Sequence, residues 1–259
     1  MSRPHLVLKF GGTSLSSSAR VRRAARRVLA HIARGIAPVV VVSATGGSTD
    51  RVLRRIGSLS GGPASLSPRE VDRALATGED LAGALLAAAL SGIGVPSRSL
   101  RGGEAGIRAA GSFGHGVIWE VDPSTIRSLT VGGVVPVISG FQATDSRGET
   151  LTLGRGGSDI TAVAIAASLG SVPCHIVTDV SAVHDLDPRV EADAVPLREM
   201  TCQELLDLVE GGARVVHPAA ASLAAKKGVT LRVYHHAVRP GREGGTLVLP
   251  APARLELIV

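Results

Sequence analysis

The chain has 259 residues, 44% of them hydrophobic and only 2% aromatic, and it carries a formal charge of +6. That length buries a full α/β core, as one domain or two joined lobes, and that hydrophobic content excludes global disorder. The scarcity of aromatics argues against a stacking platform for single-stranded nucleic acid, and no nucleic-acid recognition motif accompanies the charge.

Positive charge is written almost wholly as arginine: Lys9, Lys226 and Lys227 are the three lysines among 28 basic residues. The excess suits an anionic small-molecule substrate. Arg20, Arg22, Arg23, Arg26 and Arg27 cluster on a predicted helix and read as a solvated face. Cys174 and Cys202 lack CxxC spacing, which predicts free thiols, a reducing compartment and a cytoplasmic location. No N-terminal leader and no apolar run of membrane-spanning length is apparent, so no membrane partner is expected.

Leu6–Leu8 reads as a short buried strand that ends in Lys9-Phe10-Gly11-Gly12-Thr13-Ser14, with a helix over about 18–34. Strand, glycine pair, helix is the geometry that sets backbone N–H groups against a phosphate. The lysine precedes the glycines, so this is not a Walker A loop. A compact ammonium in an arginine chain suits a bridge between phosphate oxygens, although a strand-end lysine is the bland alternative. Val39–Val42 is a second buried strand, delivering the hydroxyl-rich turn Ser43–Asp50. Ser58–Ser67 is a Gly/Ser/Pro loop. Ser67-Pro68-Arg69-Glu70 has capping-box spacing, opening a helix to about Ala76. Gly78 predicts a break, with a second helix to Leu90. Glu79 then lies in a first turn, either as a dipole partner or facing the cleft to bind a substrate ammonium. Segment 97–121 is glycine-rich and has no clear period. Val134–Ser139 is a third buried strand, and Asp145–Gly148 predicts a hairpin turn.

The next stretch, Leu151–Ala162, carries the densest chemistry. Three glycines at a strand-to-helix junction let N–H groups approach an anion, and Arg155 offers a two-pronged grip on a carboxylate or phosphate. Asp159 falls where a carboxylate is favoured by the helix dipole and orients a reacting group. A glycine loop with Ser158 or Asp159 as a simple cap is the alternative. Beyond it, Cys174–Val177 reads as a strand leading to Thr178, Asp179, His184, Asp185, Asp187 and Arg189, a set that suits a nucleotide's ribose and Mg²⁺-phosphate end. Thr201 and Glu204 form another capping-box pattern ahead of helix 202–211. Arg214–Pro218 opens a helix to about Lys227, and Leu231–Tyr234 and Thr246–Leu249 read as closing strands.

Together these motifs resemble the catalytic domain of aspartate kinases, within the amino-acid kinase family. The matching text is Lys9-Phe-Gly-Gly-Thr-Ser14, Val42-Ser-Ala-Thr-Gly46, Leu153-Gly-Arg-Gly-Gly-Ser-Asp159, Thr178-Asp179, Asp187-Pro-Arg189 and Gly212-Ala-Arg-Val-Val-His-Pro218. The resemblance implies an α/β fold, an open, mainly parallel β-sheet sandwiched between helices, like that of carbamate kinase. It implies one domain over 1–259, with a substrate lobe to about 160, a nucleotide lobe over about 161–250, and a tail or edge strand at 251–259. It implies ATP-dependent phosphorylation of the side-chain carboxylate of L-aspartate, with Mg²⁺ held mainly by the ATP phosphates and by no metal-ligating side chains of the chain itself. Lys9 and Asp159 would be catalytic. Ser43, Thr49, Glu79, Arg155 and Ser158 would line the substrate pocket. Lys9, Phe10, Gly11, Gly12, Thr178, Asp179, His184, Asp187, Arg189, Arg214 and Val215 would border the nucleotide.

The chain departs from the family at Arg214, where lysine is usual, at His184, where tyrosine is usual, and at Ala109-Ala110. Aspartate kinases carry C-terminal ACT regulatory domains, and the sequence stops about where these would start. The expectation is an enzyme not feedback-inhibited within the chain, a homodimer by analogy, with a separate regulatory subunit as a further partner. Two other readings share the motifs: a kinase for another amino-acid-like carboxylate in specialised metabolism, and an inactive nucleotide-binding homologue.

Overall fold

A computed structural model describes residues 3–59, 66–186, 191, 193–210, 215–239 and 244–250. The first half holds β1 (His5–Phe10), a 3₁₀ turn (Gly12–Leu15), α1 (Ser18–Ile32), β2 (Ala37–Val42), α2 (Ser48–Leu59) and α3 (Pro68–Ser91). Three short strands follow, β3 (Ser97–Leu100), β4 (Ile107–Ala110) and β5 (Val117–Val121), then α4 (Ser124–Val131), β6 (Val135–Ser139), β7 (Gln142–Thr144) and β8 (Thr150–Thr152). The second half holds α5 (Gly157–Ser168), β9 (Cys174–Thr178), β10 (Glu199–Thr201), α6 (Cys202–Glu210), α7 (Pro218–Lys227), β11 (Leu231–His235) and β12 (Thr246–Leu249).

Eight strands form one sheet in the order β10-β12-β11-β9-β1-β2-β6-β3. Every pairing in it is parallel except β11 with β12. This is the open, mainly parallel sheet between helices that the motif order implied. β1 lies in the middle, and strand alternation sends its side chains to opposite layers. Leu6, Leu8 and Phe10 pack with Ala24, Val28 and Leu86 of α1 and α3. Val7 packs with Ala162, Val163 and Ala166 of α5 on the other face. Lys9 shares the face of Val7, so the geometry that turns Lys9 toward α5 necessarily turns Phe10 away.

A second, four-stranded sheet, β5-β4-β7-β8, covers one end. Its β4 and β5 come from the segment that sequence periodicity left unassigned. Each is only four or five residues long and glycines crowd their flanks, so no window is long enough to show a period. The predicted turn is present: β7 and β8 pair antiparallel, and Gly148 N–H donates to Asp145 C=O. Thr201 and Glu204 make the predicted reciprocal cap. Ser67 makes no side-chain cap; Glu70 instead pairs with Arg69.

α3 corrects two expectations. It runs unbroken for 24 residues, through Gly78. A Cβ at Gly78 would sit 2.8 Å from the Ala44 Cβ, so this glycine admits the close approach of the β2 loop rather than ending a helix. Read as one element, α3 is also long and apolar enough to span a membrane by length and composition. Within the fold it is a core helix whose Leu75, Leu86 and Leu90 are buried along with Asp72 and Glu79. The predicted loop residues 60–65, Asp187, Arg189, Arg214 and the tail 251–259 lie outside the described residues.

Candidate active site

In a parallel sheet, loops at the carboxyl ends of the strands build the ligand crevice. Here Lys9 near the end of β1, the loop after β2 and the β8–α5 loop meet at one cavity of about 410 Å³. Lys9, Ser43, Thr49, Arg155, Ser158 and Asp159 all line it. Sequence reasoning drew these six from three separate motifs, and the fold brings them to one place.

The floor of the cavity is an ion pair. Lys9 Nζ lies 2.6 Å from Asp159 Oδ1, with both side chains largely buried. The other Asp159 oxygen accepts the His217 N–H at 3.3 Å. The carboxylate therefore fixes where the ammonium points. A buried pair held this way is an electrostatic tool aimed at a cavity more than a source of stability.

Gly156 is the N-cap of α5, with φ 73°, and no side chain caps the helix. This removes the reading of Ser158 or Asp159 as a simple cap. A Cβ at Gly156 would fall 2.0 Å from the His217 ring, so only glycine lets the loop and the start of α7 close on each other. Gly156, Gly157 and Ser158 line the cavity, presenting the uncapped helix start to it, and Arg155 stands exposed at its wall.

Three residues that sequence reasoning missed hold this wall in place. Phe141 adopts φ 67°, a left-handed conformation that a bulky residue rarely enters. Its N–H donates to Thr161 Oγ1 and its C=O accepts the Leu153 N–H, which together hold the strain. Asp72 is 1% exposed. Its carboxylate accepts bonds from the Thr152 N–H, the Thr152 hydroxyl and the Gly114 N–H. Thr152 and Gly114 both line the cavity, so Asp72 ties α3 to two of its walls. No local sequence signal marks Asp72 or Phe141. His217, at the entry to a predicted helix, was visible only as part of a motif.

Other predicted residues sit differently. Glu79 is 4% exposed and is not among the cavity-lining residues. Its Oε1 accepts the Ala44 N–H at 2.9 Å, and its Oε2 has no hydrogen-bond partner among the described residues. Burial, opposed by the Ala44 N–H and aided by the charge of Asp80, pushes its pKa from an ordinary 4.5 to about 7. Phe10 is core, 1% exposed, on the face opposite Lys9, so its ring is not part of the site. Gly11 N–H already donates to Val177 C=O, continuing the β1–β9 ladder, so it is not a free phosphate donor. Gly12 serves through its C=O, which accepts the Gly46 N–H and joins the two loops.

On the nucleotide side, Thr178 ends β9 and Asp179 follows it, with the Thr178 hydroxyl donating to Asp179 Oδ1. His184 Nδ1 lies 3.1 Å from Ala182 C=O. Val215 is half-buried against the core. None of these four lines the Lys9 cavity. Among the described residues no cluster of three or more His, Cys, Asp or Glu side chains is placed to hold a metal.

A lysine–aspartate floor, a helix start with no side-chain cap and an exposed arginine stand together at the carboxyl edge of such a sheet, a combination whose chemistry suits an anion. Residues 5–235 match the profile of the amino acid kinase family, and the chain belongs to that family. Its relatives include the aspartokinase of Helicobacter pylori (strain ATCC 700392 / 26695), 42% identical over 226 residues, 87% of this chain and 55% of the relative. The aspartokinase of Geobacillus stearothermophilus is 41% identical over 228 residues, 88% of this chain and 55% of the relative. The solved aspartate kinase from Synechocystis superposes with TM-score 0.82 at 38% identity, covering 96% of this chain and 40% of that one. E. coli aspartokinase III, solved in complex with aspartate and ADP, gives 0.79 at 26%, covering 96% and 65%. The chain thus spans about half the length of the curated relatives it matches.

Proposed function

We propose that the chain is an aspartate kinase catalytic unit, transferring the γ-phosphoryl group of ATP to the side-chain carboxylate of L-aspartate. The observation that carries this reading is the Lys9–Asp159 pair at the floor of a cavity walled by Arg155. Phosphoryl transfer asks mainly for positioning and for charge opposite the equatorial oxygens. Lys9 supplies that charge, and Asp159 keeps its ammonium aimed. The relatives named aspartokinase, and the one solved with aspartate and ADP, support the choice of acceptor.

In this reading Arg155 binds the α-carboxylate with two parallel hydrogen bonds. Glu79 meets the α-ammonium through the oxygen that has no partner, after a small movement of the Ser43–Thr45 turn above it. Ser43, Thr49 and Ser158 complete the pocket. The β-carboxylate is then directed at the terminal phosphorus. One carboxylate oxygen forms the new P–O bond as the bond to the β,γ-bridging oxygen breaks, releasing ADP and leaving 4-phospho-aspartate. No proton need move, so no general base is required. Thr178, Asp179, His184 and Val215, with Asp187, Arg189 and Arg214, border the nucleotide in the proposal. Mg²⁺ travels on the ATP phosphates, consistent with its reluctance to shed water.

Trapping the acyl phosphate with hydroxylamine tests the reading directly. Aspartate with ATP is expected to give aspartyl hydroxamate in step with ADP. Hydroxamate from N-acetylglutamate or glutamate but not aspartate would replace the acceptor. ATP binding with no turnover on any carboxylate would favour an inactive homologue.

A further inference from the structure

α7 opens on a proline, and what its first turn donates goes to one residue. Pro218, at the first helical position, has no N–H. The Ala219 N–H donates to His217 Nδ1 at 3.3 Å. The Ala220 and Ala221 N–H groups donate to the His217 C=O at 2.9 and 3.1 Å. The donors that a helix start leaves without an intrahelical partner are thus taken up by the N-cap residue itself. The donor that remains to point outward is the N–H of His217, and it goes to Asp159 Oδ2.

Asp159 is therefore strung between two distant elements, β1 through Lys9 and α7 through His217. The bond to Lys9 is short, at 2.6 Å, and the bond from the His217 N–H is 3.3 Å. The second stands at the long end of its kind, so a small shift of the donor breaks it. The body of α7 is firmly seated. Ala220, Ala221 and Ala224 are fully buried, in one core with Ala162, Val163 and Ala166 of α5. What can shift is the cap and not the helix behind it.

The imidazole fixes that cap. His217 holds the extended backbone of an N-cap, φ −67° and ψ 136°, while its Nδ1 accepts from two residues ahead. An accepting Nδ1 leaves the proton of the neutral ring on Nε2. The ring also leans on Gly156, the N-cap of α5, where any Cβ would collide with it. One side chain thus joins the start of α7 to the start of the helix that carries Asp159. His217 is not among the residues lining the Lys9 cavity, so any influence it has on the site passes through Asp159.

We infer that His217 is a positioning residue for phosphoryl transfer. Its imidazole, as the acceptor for Ala219, holds the cap in the geometry that directs the His217 N–H at Asp159, and Asp159 in turn aims the Lys9 ammonium. Without that acceptor the Ala219 N–H loses its partner, the cap relaxes, and the carboxylate turns away from the line it shares with Lys9. The loss falls on the chemical step, because Arg155 and the nucleotide border are untouched. The inference rests on the reading of Lys9 and Asp159 as the transfer centre, whichever carboxylate is the acceptor.

Three substitutions isolate the acceptor. His217→Ala and His217→Asn both remove the ring, and only asparagine restores a capping oxygen. His217→Phe keeps a ring and lacks the acceptor. His217→Ala and His217→Phe are expected to lower kcat by about tenfold or more, with KM for aspartate and for ATP within about twofold of wild type, and His217→Asn to recover kcat to within about threefold. A second readout needs no turnover. The chain has three lysines, so ¹³C-lysine labelling gives three ε-carbon resonances, with Lys9 assigned by its loss in Lys9→Arg. Lys226 and Lys227 close α7 and report on the helix itself. The Lys9 resonance is expected to move in His217→Ala and His217→Phe and to return in His217→Asn, while Lys226 and Lys227 stay in place throughout. The inference is overturned if His217→Ala keeps kcat within about twofold of wild type, if His217→Asn is as slow as His217→Ala, or if His217→Phe restores the rate. It is equally overturned if the Lys9 resonance does not move, or if Lys226 and Lys227 move with it, which would make the imidazole a cap for helix stability alone. Should wild type turn over no carboxylate, the transfer reading fails by itself, and the lysine resonances still decide whether His217 holds the pair.

Discussion

Glu79 sits where protein physics resists a charge, and Glu79→Gln reads out how strongly. The side chain is 4% exposed and holds the Ala44 N–H through one oxygen. Glutamine keeps that acceptor and removes the ionisation. With a folded-state pKa of about 7 against an ordinary 4.5, the native state binds more protons than the unfolded chain between those values. Native wild type therefore loses stability as pH rises from 4.5 to 7, and the loss is complete above 7. The displacement corresponds to about 3 kcal/mol at pH 8 and to less than about 1 kcal/mol at pH 5. Against this, the new amide places a donor where no partner stands, a pH-independent cost of about 1–3 kcal/mol. The constant cost drops out of the comparison between pH values. The stability of Glu79→Gln relative to wild type is thus expected to improve by about 2–3 kcal/mol from pH 5 to pH 8, or about 4–10 °C in Tm. Thermal and urea unfolding of both proteins at pH 5, 6, 7 and 8 measure it. Parallel pH profiles would refute the placement of an ionised, unpaired carboxylate beneath the Ser43–Thr45 turn. In the proposed reaction the same substitution removes the partner of the substrate ammonium, so KM for aspartate rises even where the fold is more stable.

Other substitutions separate chemistry from scaffolding. Lys9→Met is expected to lower kcat by about 10³ while circular dichroism stays native, and retention of ADP release near the wild-type rate would dismiss the ammonium's role. Arg155 is exposed, so Arg155→Ala changes stability by no more than about 0.5 kcal/mol. Its KM for aspartate rises by about tenfold or more, and a change confined to the KM for ATP would move Arg155 to the nucleotide. Asp72→Ala strands two N–H groups and a hydroxyl and costs about 3 kcal/mol in urea unfolding, whereas Asp72→Asn, which keeps an acceptor, recovers most of it. If Asp72 positions the cavity wall, Asp72→Asn also shows a raised KM for aspartate near wild-type kcat, a split that a purely structural defect would not produce.

What was legible from the chain alone, and what was not, follows from how local each determinant is. The strand-glycine-helix at Lys9, the hydroxyl-rich turn after Val42 and the Arg155–Asp159 loop each announce themselves within a few residues. Their backbone requirements are local, and parallel-sheet topology puts the ends of such strands on one edge. Strand alternation was equally available and contradicted one assignment made by motif: Lys9 and Phe10 are neighbours, so both cannot face the cleft. Gly78 misled because a glycine in a helix reads as a break, while its actual use, contact with Ala44, lies in another element. Asp72 and Phe141 were invisible for the same reason. Their partners stand 12 to 80 residues away, and nothing near them in sequence specifies a buried carboxylate or a left-handed phenylalanine. The chemistry of the site is therefore carried by local motifs and its precision by distant contacts. Substitutions in the motifs should change kcat and substrate affinity, and substitutions at Asp72 or Phe141 should change how sharply the same residues are held.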